Sequence, residues 1–389
     1  MKAIELKAVF SISEKTKQIC QHFSQNECTN IHLKGLMGSS ASFIANGIFQ
    51  NLLFNQLFIL NDKEEAAYFL NDLEKIVGEE NVLFFPNSYR NVYQLEDTDN
   101  SNILHRAEVL NALTKRSSSI FIVTYPEALS EKVVTKKILE KSTTKVNVGE
   151  QIPLDFLNEI LNEYHFERED FVVAPGQFSI RGGIVDVFSY SNENPYRIEF
   201  FGNEIESIRS FDPVTQLSIK AYNKISILPN IQTSFLEKTR ESFLDFLPKN
   251  TIVWAKNMEL ITHQINKDFE KAAAAYQQLV NSPLQHLKPS ELYLTDQEFI
   301  SGISQKNSIE FGSQFFLAAN LVIQYNQRPQ PNFNKNFDLL FEDLQGKFKE
   351  QFTTILLADS SKQIERLTSI FEDTGREFQM QPILLPIHE

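Results

Sequence analysis

Cysteine, tryptophan and long hydrophobic runs are scarce in this sequence. Its 389 residues contain two cysteines, Cys20 and Cys28, and one tryptophan. The cysteines have neither the spacing of a metal site nor a catalytic motif beside them, so the sequence predicts ordinary reduced thiols and no metal site. No apolar run approaches the ~18 residues of a membrane span and no signal peptide is recognisable, which predicts a cytoplasmic protein without membrane contact.

Basic side chains are also in the minority. The sequence has 37 Lys and Arg against 50 Asp and Glu, a net charge of −13, and residues 143–228 have 7 Lys or Arg against 13 Asp or Glu. Proteins hold DNA phosphates with clustered Lys and Arg. The balance therefore argues against a strong autonomous DNA-binding module and favours a partner with basic groups.

The length of the chain sets the number of domains. A sequence of 389 residues is too long for one ordinary core, so two or three domains are expected. Residues 382–389 form an apolar stretch, whereas a solvated terminus is usually polar. This ending predicts a fragment of a longer protein.

The most regular pattern lies at residues 177–212. Apolar and polar residues alternate there, and the alternation is interrupted at 189–194 and again at the two-residue turn Gly202-Asn203. Two such breaks predict a meander of three antiparallel strands.

The middle strand of this meander has two different faces, because side chains alternate along a strand. One face has Tyr196, Ile198 and Phe200, and the other has Arg197, Glu199 and Phe201. A two-residue turn would pair Phe201 with Glu204 and Glu199 with Glu206, which adds acids to the polar face.

The polar face is a candidate protein-recognition site. Arg181 of the first strand is predicted to share this face with Arg197 and Phe201, and arginine beside an aromatic ring is typical of an interface hot spot. In the alternative interpretation Phe201 folds beneath a neighbouring helix and the arginines form solvated salt bridges that contribute little. The alternation alone leaves both open.

Three segments of this region resemble a known family. They are 181–188 (RGGIVDVF), 195–201 (PYRIEFF) and 208–213 (IRSFDP). They resemble the second domain of the UvrB family and, more closely, the matching domain of the bacterial transcription-repair coupling factors, the Mfd family. The resemblance implies a docking surface for UvrA, the damage-recognition ATPase of nucleotide excision repair. By motif position Arg181, Arg197 and Phe201 match the UvrA-contacting residues.

The first third of the chain reads as α/β. Apolar runs at 31–33, 57–60, 82–85 and 120–123 predict buried parallel strands, separated by helices at 14–23, 40–53, 62–76 and 103–113. Strand, helix and strand in this order predict right-handed crossovers and a doubly wound sheet.

The first predicted strand leads into a degenerate phosphate loop. A working loop reads G-x-x-x-x-G-K-[ST], because its glycines let N–H groups close on phosphate and its lysine neutralises the outer phosphates. The corresponding residues here are Gly35, Gly38, Ser40, Ala41 and Ser42. Ala41 replaces the lysine and Ser40 the second glycine, so the sequence predicts no catalytic residues and no cofactor in this part of the protein. The UvrB family keeps an intact loop, whereas the loop of the Mfd family has decayed.

A second departure from UvrB lies at residues 84–93. UvrB has an aromatic-rich hairpin there that inserts between DNA strands, but about ten residues separate Tyr93 from the helix predicted near Ile103. A connection this short leaves little room for such a hairpin. Tyr89 and Tyr93 are candidates either for stacking on bases or, as the sequence favours, for covering the end of the sheet.

The remaining elements are predicted from shorter patterns. Strands are expected at 146–148, 225–229, 251–254, 309–311, 321–325 and 354–357, helices at 154–163, 235–246, 258–280, 337–348 and 362–371, and loops at 282–305. With the resemblance, these imply a UvrB-like domain 1a with the degenerate loop (1–142) and an inserted mainly-β (α+β) UvrA-binding domain (143–228). A UvrB-like domain 1b (229–335) and the start of a small third α/β domain (336–389) follow.

Three functions follow from these observations. The first is the N-terminal UvrA-recruiting module of a transcription-repair coupling factor. The resemblance implies a parent protein that uses ATP and Mg to translocate on DNA and displace stalled RNA polymerase, with polymerase and DNA bound by segments outside this sequence. The alternative is a UvrB-type nucleotide-dependent helicase subunit of the excision nuclease, against which Ala41 argues. A third, an α/β interaction domain unrelated to repair, is disfavoured by the specificity of the meander motif.

Overall fold

The computed structural model describes residues 2–88, 93, 100–115, 118–230, 239–279, 287–334, 336–373 and 380–387. Its helices are α1 (Ala3–Ser11), α2 (Glu14–Gln25), α3 (Ser40–Leu52), α4 (Lys63–Val77), α5 (Asn100–Lys115), α6 (Pro126–Ser130), α7 (Lys136–Lys141), α8 (Leu154–Glu163), α9 (Phe243–Phe246), α10 (Met258–Leu279), α11 (Pro289–Leu292), α12 (Asp296–Ser304), α13 (Phe337–Lys349) and α14 (Ser361–Asp373). Its strands are β1 (Asn30–Lys34), β2 (Asn55–Ile59), β3 (Val82–Phe85), β4 (Phe121–Thr124), β5 (Val133–Val134), β6 (Thr144–Asn147), β7 (Glu167–Arg168), β8 (Gln177–Arg181), β9 (Ile184–Val187), β10 (Tyr196–Phe201), β11 (Glu204–Phe211), β12 (Ser218–Ala221), β13 (Lys224–Ile227), β14 (Arg240–Glu241), β15 (Thr251–Lys256), β16 (Asn307–Gly312), β17 (Leu321–Gln324), β18 (Thr354–Ala358) and β19 (Met380–Leu384).

A parallel sheet forms the largest part of the described structure. Its strand order is β17-β1-β16-β15-β2-β4-β3, and each neighbouring pair is parallel. All residues of β2 and β4 are buried, as expected for strands covered by helices on both faces. The parallel α/β arrangement predicted for the first third is confirmed. We call this sheet and its helices the α/β body.

Aromatic packing fills the centre of the α/β body. The indole ring of Trp254 is fully buried, lies 4.9 Å from the ring of Phe58, and donates its N–H to Oε1 of Gln56 at 2.9 Å. The hydrogen bond satisfies the polar atom that burial would otherwise leave without a partner. Trp254 is thus a core residue, as its apolar strand predicts.

A buried arginine ties α5 to the edge of the α/β body. The guanidinium group of Arg106 is fully buried and donates to the carbonyl oxygens of Pro86 at 2.8 Å and Ala128 at 3.0 Å. It lies 3.5 Å from the carboxylate of Glu131 and 4.1 Å from the ring centroid of Phe85. Such a cation is stable in the interior only because these groups replace water.

A separate six-stranded sheet follows the order β12-β11-β10-β9-β8-β7 among the described residues. Its pairs are antiparallel apart from β7 and β8. The predicted first strand of the meander is wrong in one respect, because Gly182 and Gly183 turn the chain and divide it into β8 and β9. A Cβ on Gly183 would lie 2.9 Å from the carbonyl oxygen of Phe200, so this turn requires glycine.

Two smaller pairs of strands complete the arrangement. The antiparallel pair β6 and β13 connects the six-stranded sheet to the α/β body. The parallel pair β18 and β19 packs against α1, α3 and α4 through a cluster of apolar side chains, Leu6, Phe43, Ile76, Ile383 and Leu385. Within the described ranges, no helix has the length and apolar character needed to cross a bilayer.

Two predictions between 229 and 305 are wrong. The helix predicted at 235–246 is reduced to α9, because residues 240–241 pair with β5 as a strand; residues 231–238 lie outside the described part. The loops predicted at 282–305 include α11 and α12. Helix α12 starts at a capping box formed by Thr295 and Glu298 and buries Phe299 and Ile303 one turn apart. Thr295 and Glu298 are three residues apart, the spacing of a capping box, and this is the signal for a helix within the predicted loops.

Candidate protein-docking site

The six-stranded sheet has one buried and one accessible face. Ile198, Phe200 and Ile205 belong to the buried face, and α8 adds Leu157 and Leu161 to the same hydrophobic core. The opposite side, which we call the outer face, has Arg181, Asp186, Arg197, Glu199 and Phe201. The predicted alternation of β10 is therefore confirmed, with Tyr196, Ile198 and Phe200 inside.

The three residues predicted for partner binding differ in accessibility. The side chain of Phe201 is 79% exposed, so it does not fold beneath a helix. The side chain of Arg181 is 41% exposed, whereas that of Arg197 is only 17% exposed. Of these three residues, Phe201 is a bare ring, Arg181 has an accessible guanidinium group, and the guanidinium group of Arg197 is half-buried.

A single carboxylate joins the two arginines. Asp186, which is 1% exposed, accepts a hydrogen bond from Nη2 of Arg181 at 2.5 Å, and it accepts from Nε and Nη2 of Arg197 at 2.7 and 2.8 Å. The hydrogen bonds to Asp186 raise the pKa of Arg197 above its ordinary value. Because the pair is bidentate, the Arg197 guanidinium plane is fixed.

A second ion pair joins β10 to β11. Glu199 pairs with Arg209 and accepts a hydrogen bond from the hydroxyl of Ser207 at 2.6 Å. The predicted pairing of Phe201 with Glu204 is confirmed, but Glu199 lies opposite Ser207 rather than Glu206. A β-bulge shifts the register at this point, and an extra residue in one strand cannot be inferred from the alternation alone.

The loop between β7 and β8 covers part of the outer face. Val172 of this loop is buried with Phe188 and Phe211 in a small core, and the ring of Phe211 lies 4.5 Å below the guanidinium carbon of Arg197. The adjacent Phe171 points outward, with its ring centroid 5.5 Å from the guanidinium carbon of Arg181.

Sequence reasoning missed Asp186, Arg209 and Phe171 as members of this site. A turn at Gly182-Gly183 places Asp186 opposite Ser179 and on the same face as Arg181, so this glycine pair is a signal from which Asp186 could have been found. The pairing of Asp186 with Arg197 comes from the separate contact between β9 and β10. Phe171 has no comparable signal, since it lies in a loop outside any strand pattern.

The segment predicted as a degenerate phosphate loop lies between β1 and α3. Gly35 has a positive φ of 77°, and a Cβ there would lie 2.1 Å from the carbonyl oxygen of Tyr325. Gly38 also has positive φ, and the hydroxyl of Ser40 donates to Oε1 of Gln327 at 2.7 Å. Ala41 and Ser42 are buried in α3.

The space in front of this segment is a cavity of about 500 Å³. Its lining includes Gly38, Ser39, Lys256 and Arg328. Lys256 is already paired with Glu65. The backbone N–H of Met37 donates to Oε1 of Gln327 at 2.7 Å, so this donor is used within the protein.

Tyr93 contacts the protein itself. Its ring lies 5.9 Å from that of Tyr276 on α10, and its hydroxyl donates to the carbonyl oxygen of Leu287 at 2.8 Å. Tyr93 thus packs against α10, and whether it also covers the end of the sheet or stacks on bases stays a prediction. Tyr89, the other candidate, lies outside the described residues.

Comparison with known proteins found a family that matches the region of the six-stranded sheet, and relatives that are similar to most of the chain. Residues 144–232 match the family described as UvrB interaction domain. The transcription-repair-coupling factor of Bacillus subtilis (strain 168) is 24% identical over 90% of this chain and 35% of its own length. Those of Rickettsia bellii (strain RML369-C) and Borreliella burgdorferi are 25% and 24% identical over 85% and 95% of this chain, and over 34% and 36% of their own lengths.

The chain thus spans about a third of the length of these curated relatives. The range that matches the UvrB interaction domain, residues 144–232, contains every residue of the outer face named above. The chain is similar along most of its length to the N-terminal region of the transcription-repair-coupling factors, and its six-stranded sheet lies in the part that matches the UvrB interaction domain.

Proposed function

We propose that this chain is the UvrA-recruiting module of a transcription-repair-coupling factor in nucleotide excision repair. The observation that carries the proposal is the outer face, where an exposed aromatic ring lies on the same sheet surface as fixed guanidinium groups. This face lies within the range that matches the UvrB interaction domain. Arginine and aromatic side chains are the residues most enriched in interface hot spots.

The proposed mechanism assigns different roles to the three predicted residues. Phe201 inserts into an apolar pocket of UvrA and loses its contact with water. Arg181 donates to a UvrA carboxylate with N–H groups that neither the carboxylate of Asp186 nor the carbonyl of Asp170 uses. Arg197 is half-buried and bidentately paired, so its principal role is to hold the carboxylate of Asp186 in place. Groups that are already ordered lose little entropy on binding.

The charged side chains of the outer face indicate which groups a partner needs at the contact point, whereas the net charge of the chain indicates only the overall charge of that partner. Three arginines, Arg181, Arg197 and Arg209, are balanced there by three acids, Asp186, Glu199 and Glu204. Arg181 is the most exposed of these arginines, so its guanidinium group is the charge that a partner can reach. The chain as a whole has a charge of −13. A complementary partner therefore offers a carboxylate at the contact point within a generally basic surface.

Alanine replacement of the two accessible residues tests the proposal. Phe201→Ala and Arg181→Ala are each expected to weaken binding of purified UvrA at least about tenfold, as truncation of a hot-spot residue commonly does. Affinity is measured by titrating labelled chain with UvrA. Phe156→Ala and Arg328→Ala remove an exposed ring and an exposed arginine elsewhere and should bind normally. Unchanged affinity of both site variants would defeat the assignment.

We further propose that residues 35–42 are a degenerate phosphate loop that no longer serves a nucleotide. The residues do not fit one: Ala41 supplies no charge, the Ser40 hydroxyl and the Met37 N–H are bonded to Gln327, and Lys256 is paired with Glu65. Phosphoryl transfer depends on positive groups held around the phosphates.

The expected result is an absence of ATP turnover by this chain. Phosphate release from ATP with Mg should stay at the buffer rate, and titration with ATP should give no saturable signal. An authentic P-loop ATPase under the same conditions provides the positive control. Turnover that scales with chain concentration would instead favour the UvrB-type helicase alternative.

The activity of the whole protein is a separate proposal. We propose that the parent uses ATP and Mg to move on DNA and displace stalled RNA polymerase, through segments outside these 389 residues. In that arrangement the present chain supplies recruitment and the remaining segments supply the motor.

A further inference from the structure

The loop between β7 and β8 places a second aromatic ring on the outer face. Phe171 is 64% exposed, although the next residue, Val172, is fully buried against Phe188 and Phe211. Burial of Val172 fixes the loop, and the neighbouring side chain is thereby turned toward solvent. The Phe171 ring then lies 5.5 Å from the guanidinium carbon of Arg181.

We propose that Phe171 is a second aromatic contact of the docking surface, so that UvrA meets Arg181 together with two rings, Phe171 and Phe201. This inference rests on the proposed function and extends it to a residue outside the strands. It specifies the partner surface as one that offers a carboxylate to Arg181 and apolar contacts to both rings.

The loop is held in place by hydrogen bonds on both sides of Phe171. The carbonyl oxygen of Asp170 accepts from Nη1 of Arg181 at 2.5 Å and from the hydroxyl of Ser179 at 3.1 Å. Oε1 of Gln177 accepts from the backbone N–H groups of Val173 at 3.0 Å and Ala174 at 2.9 Å. A loop fixed in this way presents Phe171 without a large ordering cost on binding.

The contact between Phe171 and Arg181 indicates that the loop and the strands of the outer face form one continuous surface. Three groups surround the Arg181 guanidinium: the carboxylate of Asp186, the carbonyl of Asp170 and the ring of Phe171. The ring of Phe171 thus lies beside the accessible part of this guanidinium group, where a partner carboxylate would bind. Aromatic residues next to a paired charge exclude water from it and strengthen the pair.

The chain provides a matched control for this proposal. Phe156 is an exposed phenylalanine on α8, a helix that packs Leu157 and Leu161 into the core beneath the opposite face of the sheet. Phe171→Ala and Phe156→Ala thus remove the same side chain from the two sides of one domain. In a titration with purified UvrA, Phe171→Ala is expected to bind at least about fivefold more weakly, and Phe156→Ala to bind within about twofold of the unmodified chain.

A second measurement does not depend on the stability of an alanine variant. A photo-crosslinking phenylalanine analogue in place of Phe171 is expected to form a covalent adduct with UvrA on illumination. The same analogue in place of Phe156 should not. Because the analogue keeps the ring, the loop retains its packing around Val172.

The outcomes separate this inference from the function on which it rests. If Arg181→Ala and Phe201→Ala weaken binding but Phe171→Ala does not, and no adduct forms at 171, the second contact is wrong and the proposed function stands. If the unmodified chain does not bind UvrA, the proposed function fails and this inference fails with it. Weaker binding together with an adduct at 171 establishes the contact.

Discussion

Replacement of Arg106 by alanine is expected to lower the free energy of unfolding of the α/β body by about 3 to 5 kcal/mol, because it breaks a buried ion pair and leaves its partner behind. The guanidinium group is fully buried, donates to three carbonyl oxygens, and contacts the carboxylate of Glu131 and the face of Phe85. Glu131 would keep its hydrogen bonds from Ser88 but lose its cation.

Trp254 provides the measurement for this variant. It is the one tryptophan of the sequence and lies at the centre of the α/β body, so its fluorescence during a urea titration follows the unfolding of that body. Arg328→Ala, which removes an exposed arginine, should shift the midpoint little. A midpoint for Arg106→Ala equal to that of the unmodified chain would show that the buried cluster contributes no stability.

Replacement of Asp186 by alanine is the second change with a large expected effect. Loss of this buried carboxylate removes the anchor of Arg181 and leaves the half-buried guanidinium of Arg197 without its bidentate partner. We expect about 3 kcal/mol less stability for the six-stranded sheet, since the ion pair is broken from one side. We also expect at least about tenfold weaker binding of UvrA, because both arginines lose their fixed positions.

Hydrogen exchange separates these two effects of Asp186→Ala. Amides of β9 and β10 should exchange faster, whereas those of the α/β body should keep their rates. Asp186→Asn keeps an acceptor oxygen without the charge and should give an intermediate result. Asp155→Ala removes an exposed acid from α8 and is the control. Normal UvrA affinity and normal exchange in Asp186→Ala would contradict the positioning role.

The accessibility of the paired groups explains why one substitution affects stability alone and the other also affects binding. Arg106 and Glu131 are buried together, so their disruption affects folding alone. Asp186 is buried, but one of its partners, Arg181, is accessible to a binding protein. A substitution at Asp186 therefore changes both the stability of the sheet and the surface that it presents.

Much of the fold could be predicted because its signals are local. The strands of the parallel sheet are short apolar runs between amphipathic helices, and helix α8 was predicted at its observed bounds. The two faces of β10 also follow from strict alternation along one strand. The features that were not predicted each depend on one or two residues. They are the Gly182-Gly183 turn that divides β8 from β9, the bulge beyond Glu199, and the cap of α12. One inserted or turning residue changes every pairing after it.

The sequence by itself determined that this chain has a parallel α/β body and that β10 has a polar face with Arg197 and Phe201. Only the tertiary structure decided which arginine stays accessible, that Asp186 joins Arg181 to Arg197, and that Phe171 lies beside them. The physical reason is that alternation acts between neighbours in the chain, whereas these contacts depend on a two-residue turn and on the burial of Val172 against Phe211.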